Sequence, residues 1–149
     1  MRQLMVLAAA ALSFGCSDDN GPLPIPDITG SFVGTVHFEA SAEDIQVTED
    51  CNATLAIPTQ ADTVWNGTVT LTGGDPAVCE PESRSVSGTI QVGGGVSMTV
   101  PGGSPADACT SFSGAEEFTG NLAGNTLTLA ISYTCDGQTE DIAFSGTRS

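Results

Sequence analysis

The stretch Phe32-Val-Gly-Thr-Val-His-Phe38 decides the fold, because large apolar residues and glycine occupy every even position in it. In an extended strand the even positions share one face and the odd positions share the other. The same alternation recurs along the chain at 51–57, 65–71, 84–92, 96–100, 109–122, 126–135 and 139–148. No segment carries the wider spacing of an amphipathic helix. A period of two in eight segments predicts an all-β chain in which each strand buries one face.

A weak internal repeat extends this pattern. An apolar residue, any residue, glycine and then threonine or asparagine recur five times, beginning at Phe32, Trp65, Val86, Phe118 and Phe144. The glycines have the inward parity of the apolar residues, where a glycine lets a strand coil and a neighbouring backbone approach. We therefore predict one antiparallel up-and-down barrel of about eight strands, with a two-sheet β-sandwich as the alternative.

This chain of short strands resembles the small up-and-down barrels of the lipocalin and avidin families. Ile28-Thr-Gly-Ser-Phe32 is similar to the opening strand of avidin-like proteins, in which a Thr-Gly-small-aromatic segment starts the barrel. Avidins wall their biotin site with several tryptophans, whereas this chain contains only Trp65, and it has no clear lipocalin Gly-x-Trp signature. The resemblance therefore implies a fold and not a ligand.

The first 15 residues have the pattern of a secretory signal peptide. A positive charge at Arg2 precedes the apolar run 4–12. Nine residues span only about 14 Å as a helix, whereas a bilayer core is about 30 Å thick. The run therefore predicts a cleaved signal at 1–15 and not a membrane span.

The segment Leu12-Ser-Phe-Gly-Cys16 resembles the lipobox of bacterial lipoproteins, in which a small residue precedes the cysteine that receives diacylglycerol. The resemblance implies that Cys16 is lipidated and anchors the protein to the bacterial cell envelope, and we expect the outer membrane. Cleavage by an ordinary signal peptidase is the alternative, because Phe14 is bulky for this motif. The polar, proline-rich residues 16–26 would form a tether, which leaves 27–149 as the barrel domain.

The cysteine count agrees with a lipidated Cys16. If one of the five cysteines carries the lipid, an even set of four is left for disulfides: Cys51, Cys79, Cys109 and Cys135. In an up-and-down barrel all four would lie at the same end, near neighbouring strand pairs. Of the three possible pairings, this topology favours disulfides Cys51–Cys79 and Cys109–Cys135. A zinc site is the competing interpretation, but no Cys-x-x-Cys spacing occurs and an exported protein favours disulfides. We predict no metal site.

The chain is strongly acidic, with a net charge of −15 and only three Lys and Arg residues. Phosphate binding needs clustered basic side chains, so nucleic acid is not an expected partner. Most of the carboxylates lie in the connections at the predicted cysteine-bearing end, facing away from the tether. A solvated acidic rim is the simplest interpretation, and binding of a cation or a basic partner is the alternative.

Few residues suggest chemistry. The one histidine, His37, lies on the polar parity of its strand, and no catalytic motif occurs, so we expect neither an enzyme nor a cofactor. The candidate ligand-binding residues are Trp65, Glu116 and Tyr133. Glu116 shares the parity of Phe118, so an unbroken strand would bury its carboxylate, whereas a bulge at 115–117 would turn it outward. Arg148 has inward parity but is expected to be solvated at the chain end.

Together these features predict a non-enzymatic, membrane-anchored β-barrel that binds a small apolar ligand or a partner protein at its acidic open end. The alternative is a structural or envelope-surface protein whose barrel is filled by its own side chains and holds no ligand. The number of inward aromatic and aliphatic residues is compatible with either.

Overall fold

The structure, a computed structural model, describes residues 22–42, 45–74, 79–102, 115–135 and 137–149. The predictions for the signal at 1–15, for Cys16 and for Cys109 therefore lie outside the described residues. All regular elements in these ranges are strands, which follow one another as β1 (Gly30–Ala42), β2 (Ile45–Ala61), β3 (Val64–Gly73), β4 (Glu82–Ile90), β5 (Gly95–Pro101), β6 (Ala115–Ala123), β7 (Thr126–Cys135) and β8 (Gln138–Arg148).

Each strand pairs antiparallel with the next, and β8 pairs with β1, so the sheet closes into an eight-stranded up-and-down barrel. This confirms the predicted barrel and rules out the β-sandwich. Most predicted boundaries agree closely with the strands, and β7 coincides with the predicted 126–135, but β2 begins at Ile45, well before the predicted 51–57. For the sixth strand only the part from Ala115 onward can be compared.

The alternation along each strand separates the interior from the surface. In β1, Phe32 and Val36 are buried, whereas Val33 is 54% exposed on the outer face. The buried apolar side chains form one core inside the barrel, which includes Ile28, Leu55, Ile57, Trp65, Ile90, Leu127, Leu129 and Phe144. The hydrophobic effect of burying this one face stabilises the closed sheet.

The five repeat glycines lie where another group occupies the place of a side chain. They are Gly34, Gly67, Gly88, Gly120 and Gly146, and a Cβ atom at any of them would lie closer than 3.0 Å to a neighbouring atom. At Gly34 and Gly120 that atom is a carbonyl oxygen of the adjacent strand, and at Gly88 the ring of Trp65 also fills the space. The repeat glycines therefore lie at positions where the chain is packed closely enough for a small barrel to close.

We call the end that holds the 62–63, 91–94 and 124–125 turns the base, and the opposite end the rim. The segment 22–29 packs against the base and places Ile28, which is fully buried, in the core. Gln60 holds this segment, since its Oε1 accepts from the Ile28 backbone N–H at 2.8 Å and its Nε2 donates to the Pro26 carbonyl at 3.1 Å. The base is thus closed by the chain's own residues.

The expectation that Arg148 is solvated is wrong, because its side chain contacts other residues of the barrel. Its guanidinium lies over the Phe32 ring at 5.2 Å from the centroid, and Nη2 donates to the Asp27 carbonyl at 2.6 Å. A cation over an aromatic face is favourable. The last strand therefore uses its inward-facing arginine to fasten the segment that packs against the base.

The rim is less completely hydrogen-bonded than the base. β1 pairs with β2 over its whole length, out to Ala42 with Ile45. In contrast, β4 pairs with β5 only through 87–90, and β6 pairs with β7 only through 119–123. Among the described residues, the rim halves of β4 and β6 therefore each pair with one neighbouring strand instead of two.

One of the two predicted disulfides is present. Cys51 in β2 and Cys79, which precedes β4, are bonded, with their Cα atoms 5.5 Å apart. Topology alone had favoured this pairing among the three possible, because the bond connects neighbouring parts of an up-and-down sheet. Cys135 is the last residue of β7, but Cys109 lies outside the described residues, so the Cys109–Cys135 bond stays a prediction.

Candidate functional site

The rim half of the barrel interior contains a cavity of about 190 Å³. Its lining is mostly apolar and comprises Val36, Phe38, Leu55, Val69, Leu71, Met98, Val100, Phe118, Ile142 and Phe144. Three charged residues, Glu82, Arg84 and Glu116, complete the lining. The base half is packed with large rings such as Phe32 and Trp65, whereas valines on β1, β3 and β5 leave space nearer the rim.

Glu116 reaches this cavity from β6. The pairing of β6 with β5 runs without a shift from Pro101↔Ala115 through Val100↔Glu116 to Thr99↔Glu117. The strand is therefore unbroken, and the alternative of a bulge at 115–117 does not occur. Glu116 is half-buried and lines the cavity, while the next residue, Glu117, is exposed on the outer face.

Glu82 and Arg84 share the inward parity of β4 and form an ion pair. The Arg84 Nε lies 2.8 Å from Glu82 Oε1, and its Nη2 donates to Oε2 at 3.3 Å. Both side chains are partly in solvent, Arg84 at 41% and Glu82 at 44% exposed, so the pair lies on the solvent side of the cavity. With Glu116, the three groups give the cavity lining one net negative charge.

Burial raises the pKa of Glu116 above its ordinary value, because the charged form loses water. The positive charge of Arg84 lowers the pKa, and the negative charges of Glu140 and Glu82 raise it further. Desolvation is the largest of these effects. Glu116 is thus a carboxylate that gains from a cation placed beside it in the cavity.

Tyr133 lies opposite Glu140 on the paired strands β7 and β8, and its hydroxyl donates to Glu140 Oε2. Burial and this hydrogen bond raise the pKa of Tyr133, and the charge of Glu116 adds to the effect. Tyr133 does not itself line the 190 Å³ cavity. The charge of Glu116 nevertheless acts on Tyr133, and the raised pKa keeps the Tyr133 hydroxyl protonated at neutral pH.

A second hollow of about 300 Å³ lies at the rim and shares Phe38 and Ile142 with the first cavity. It carries four carboxylates, contributed by Glu39, Glu49, Glu140 and Asp141. The acidic rim predicted from the connections is thus also present on the strands. Glu49 and Glu140 share the inward face of Phe38 and Ile142, whereas Glu39 and Asp141 are cross-strand partners on the outer face, so this acidic hollow lies at the edge of the rim.

Trp65 lies in the base half and does not line either hollow. It is fully buried, it covers Gly88, and its Nε1 has no hydrogen-bond partner among the described residues. The structure therefore brings Glu116 to the cavity, places Tyr133 nearby and leaves Trp65 in the core. Their roles in ligand binding stay predictions.

The sequence interpretation missed Glu82 and Arg84 as cavity residues. Their signal was present, because both share the even parity of Val86 and Ile90, which are buried in the same strand. For Glu82, a position near the strand end predicts a rim residue, and the structure places it in the cavity lining. His37, in contrast, is on the outer face as expected, with its Nδ1 2.8 Å from Asp50 Oδ1.

No family model, curated protein or solved structure matches this chain. Within the described ranges, no helix has the length and apolar character needed to cross a membrane. The same residues contain no group of three or more His, Cys, Asp or Glu arranged to hold a metal ion.

Proposed function

We propose that this chain is an exported, lipid-anchored barrel protein of the bacterial cell envelope, with a lipocalin-like site for a small apolar ligand. The observation that carries the proposal is the apolar cavity of about 190 Å³ inside the rim half. An apolar cavity of about 150 Å³ is large enough to hold benzene. The ligand is therefore the size of one aromatic ring or a short alkyl chain.

The position of the cavity supports a binding role. The base is closed by Ile28 and by the hydrogen bonds of Gln60, so a ligand has no entry there. In the part of the chain that the structure describes, strand pairing at the rim is incomplete on both sides of the β5–β6 pair. Open ends of barrels with rigid walls are common sites of small-molecule binding.

Anchoring is proposed from the lipobox-like segment that ends at Cys16 and from the polar residues that follow it. The segment 22–29 joins β1 at the base, so a lipid attached at Cys16 would leave the rim facing away from the membrane. Intact-mass measurement of protein purified from membranes tests this. We expect a chain that begins at Cys16 with added acyl mass, and a free, unacylated Cys16 would overturn the anchoring.

A second candidate function is a structural envelope protein with a filled barrel. The base half favours it, because Phe32, Trp65 and Ile28 are each 0% exposed and leave no space. The rim cavity is also smaller than the roughly 300–1,000 Å³ of most ligand pockets. Binding of a partner protein at the acidic rim belongs with ligand binding and not with this alternative.

Methyl NMR on the full chain separates these functions, because the side chain of Met98 lines the cavity. With methionine methyl groups labelled and the Met98 signal assigned through M98L, titration with 2-phenylethanol should shift that signal in a saturable way. V100F, which places a ring in the cavity, should abolish the shift. The matched variant V33F, on the outer face of β1, should keep it. A wild-type Met98 signal that stays unchanged would favour the filled barrel.

A further inference from the structure

The charges inside the rim cavity are not balanced. Arg84 pairs with Glu82, so the three charged groups together carry one net negative charge, and the attraction of Arg84 for Glu116 is smaller than the effect of the water that Glu116 loses. Glu116 remains as a half-buried carboxylate among apolar side chains such as Val100 and Phe118. A carboxylate in such a place is costly unless a cation or hydrogen-bond donors accompany it.

We propose that the cavity binds a small amphiphilic amine, whose cationic head group pairs with Glu116 and whose apolar body fills the space between the barrel walls. This inference deepens the proposed function and rests on it. A primary ammonium brings three donors and one positive charge to the carboxylate. A body of one ring or a few carbons matches a cavity of about 190 Å³.

The surrounding charges exclude an anionic ligand. A fatty-acid carboxylate would need Arg84, but two of its nitrogens already contact Glu82. Such a ligand would also approach Glu116 within the cavity and Glu140 beside it, and both are negative. Like charges brought together in a partly desolvated site repel strongly. A neutral ligand fits the walls but leaves Glu116 without a partner.

The rim hollow would guide the same class of ligand. Glu49 and Glu140 face inward beside the cavity, and Phe38 and Ile142 line both spaces. A cluster of one sign near an entrance attracts ligands of the opposite charge and raises their local concentration. With a chain net charge of −15, the field over the whole molecule has the same sign.

The test compares three probes of nearly equal shape on the full chain: 2-phenylethylamine, 2-phenylethanol and 3-phenylpropionate. Calorimetry gives the dissociation constants, and the Met98 methyl signal reports occupancy of the cavity. We expect the amine to bind about tenfold more tightly than the alcohol, as a charge-assisted hydrogen bond is stronger than a neutral one by about 1 to 2 kcal/mol. The propionate should bind most weakly.

Two neighbouring variants assign the preference to one residue. E116Q removes the charge inside the cavity, so the amine and the alcohol should then bind about equally. E117Q removes the same charge on the outer face of the same strand, and the preference for the amine should persist. Since E116Q relieves a desolvated carboxylate, we expect it to fold at least as stably as the wild-type chain.

The outcomes distinguish this inference from the proposed function. If none of the three probes shifts the Met98 signal, the cavity is not a binding site and both proposals fail. If the alcohol binds but the amine is not preferred, or if E116Q retains the preference, the cavity binds apolar ligands and only the amine proposal is overturned. Equal loss of preference in E117Q would point to the general field and not to Glu116.

Discussion

The substitution Gly88→Ala tests whether the glycine repeat is what allows this barrel to close. Gly88 lies on β4 between Trp65 of β3 and Met98 of β5. A Cβ atom there would lie closer than 3.0 Å to the carbonyl oxygen of Ser97 and to the Trp65 ring. The carbonyl belongs to a paired strand, and the ring is 0% exposed, so neither can withdraw easily.

The cost follows from these contacts. Overpacking of a protein core costs about 1 to 3 kcal/mol. Because one of the atoms that must move is backbone, we expect the upper end, a loss of about 3 kcal/mol in the free energy of unfolding. For a domain of this size, that loss lowers the melting temperature by about 12 °C.

Urea unfolding measures the loss, with Trp65 as the only tryptophan and therefore a specific fluorescent reporter. The matched control is Gly95→Ala at the start of β5, where the nearest atom to a new Cβ is a side-chain oxygen of Gln91 at 3.7 Å. The control should stay within about 0.5 kcal/mol of the wild-type chain. If G88A proves as stable as G95A, the close approach is not what the glycine is needed for.

Three further perturbations have defined outcomes. Because burial raises the pKa of Glu116 in the folded chain, the charged carboxylate lowers the free energy of unfolding at neutral pH, and this loss disappears as the pH falls to the ordinary pKa of 4.5. E116Q should therefore be more stable than the wild-type chain at pH 7 and equally stable near pH 4. A stability advantage of E116Q that persists at pH 4 would contradict the assignment. The charged groups that act on the pKa of Glu116 are Arg84 and Glu82 on β4 and Glu140 on β8, and the charge of Glu116 in turn raises the pKa of Tyr133 on β7. The double variant C51A/C79A should lose about 3 to 4 kcal/mol in the free energy of unfolding, because the disulfide closes a loop of 28 residues in the unfolded chain. Urea unfolding under non-reducing conditions measures the loss, and an unchanged midpoint would count against a stabilising disulfide. Ile28→Ala should cost about 3 kcal/mol as a core truncation, whereas Leu23→Ala, at a residue 70% exposed, should leave the unfolding midpoint unchanged.

Much of the fold was predictable from local pattern. The even parity of Phe32 and Val36, repeated along the chain, identified strands that bury one face, and the structure has those strands. The repeated glycines pointed to tight coiling, and each does lie against a neighbouring group. Once sequential antiparallel pairing was assumed, the Cys51–Cys79 bond followed, because this topology determines which strand ends are neighbours.

The site was predictable only in part. Parity alone marked Glu116 as inward, but whether β6 was continuous depended on its hydrogen bonds with β5. The pairing of Arg84 with Glu82 was not expected, because strand parity shows which side chains face inward but not which of them meet. Trp65 was a candidate ligand-binding residue by its type, yet its position along the barrel axis places it in the packed base.

By itself, the sequence determined the strand periodicity and the buried face of each strand, because both depend on neighbours a few residues apart. The tertiary structure alone decided that a space of about 190 Å³ remains in the rim half, that the segment 22–29 packs against the base, and that Arg148 holds it there. These features depend on how all eight strands are staggered around one axis. A void is the difference between the barrel's volume and the side chains that fill it, and no single strand specifies that difference.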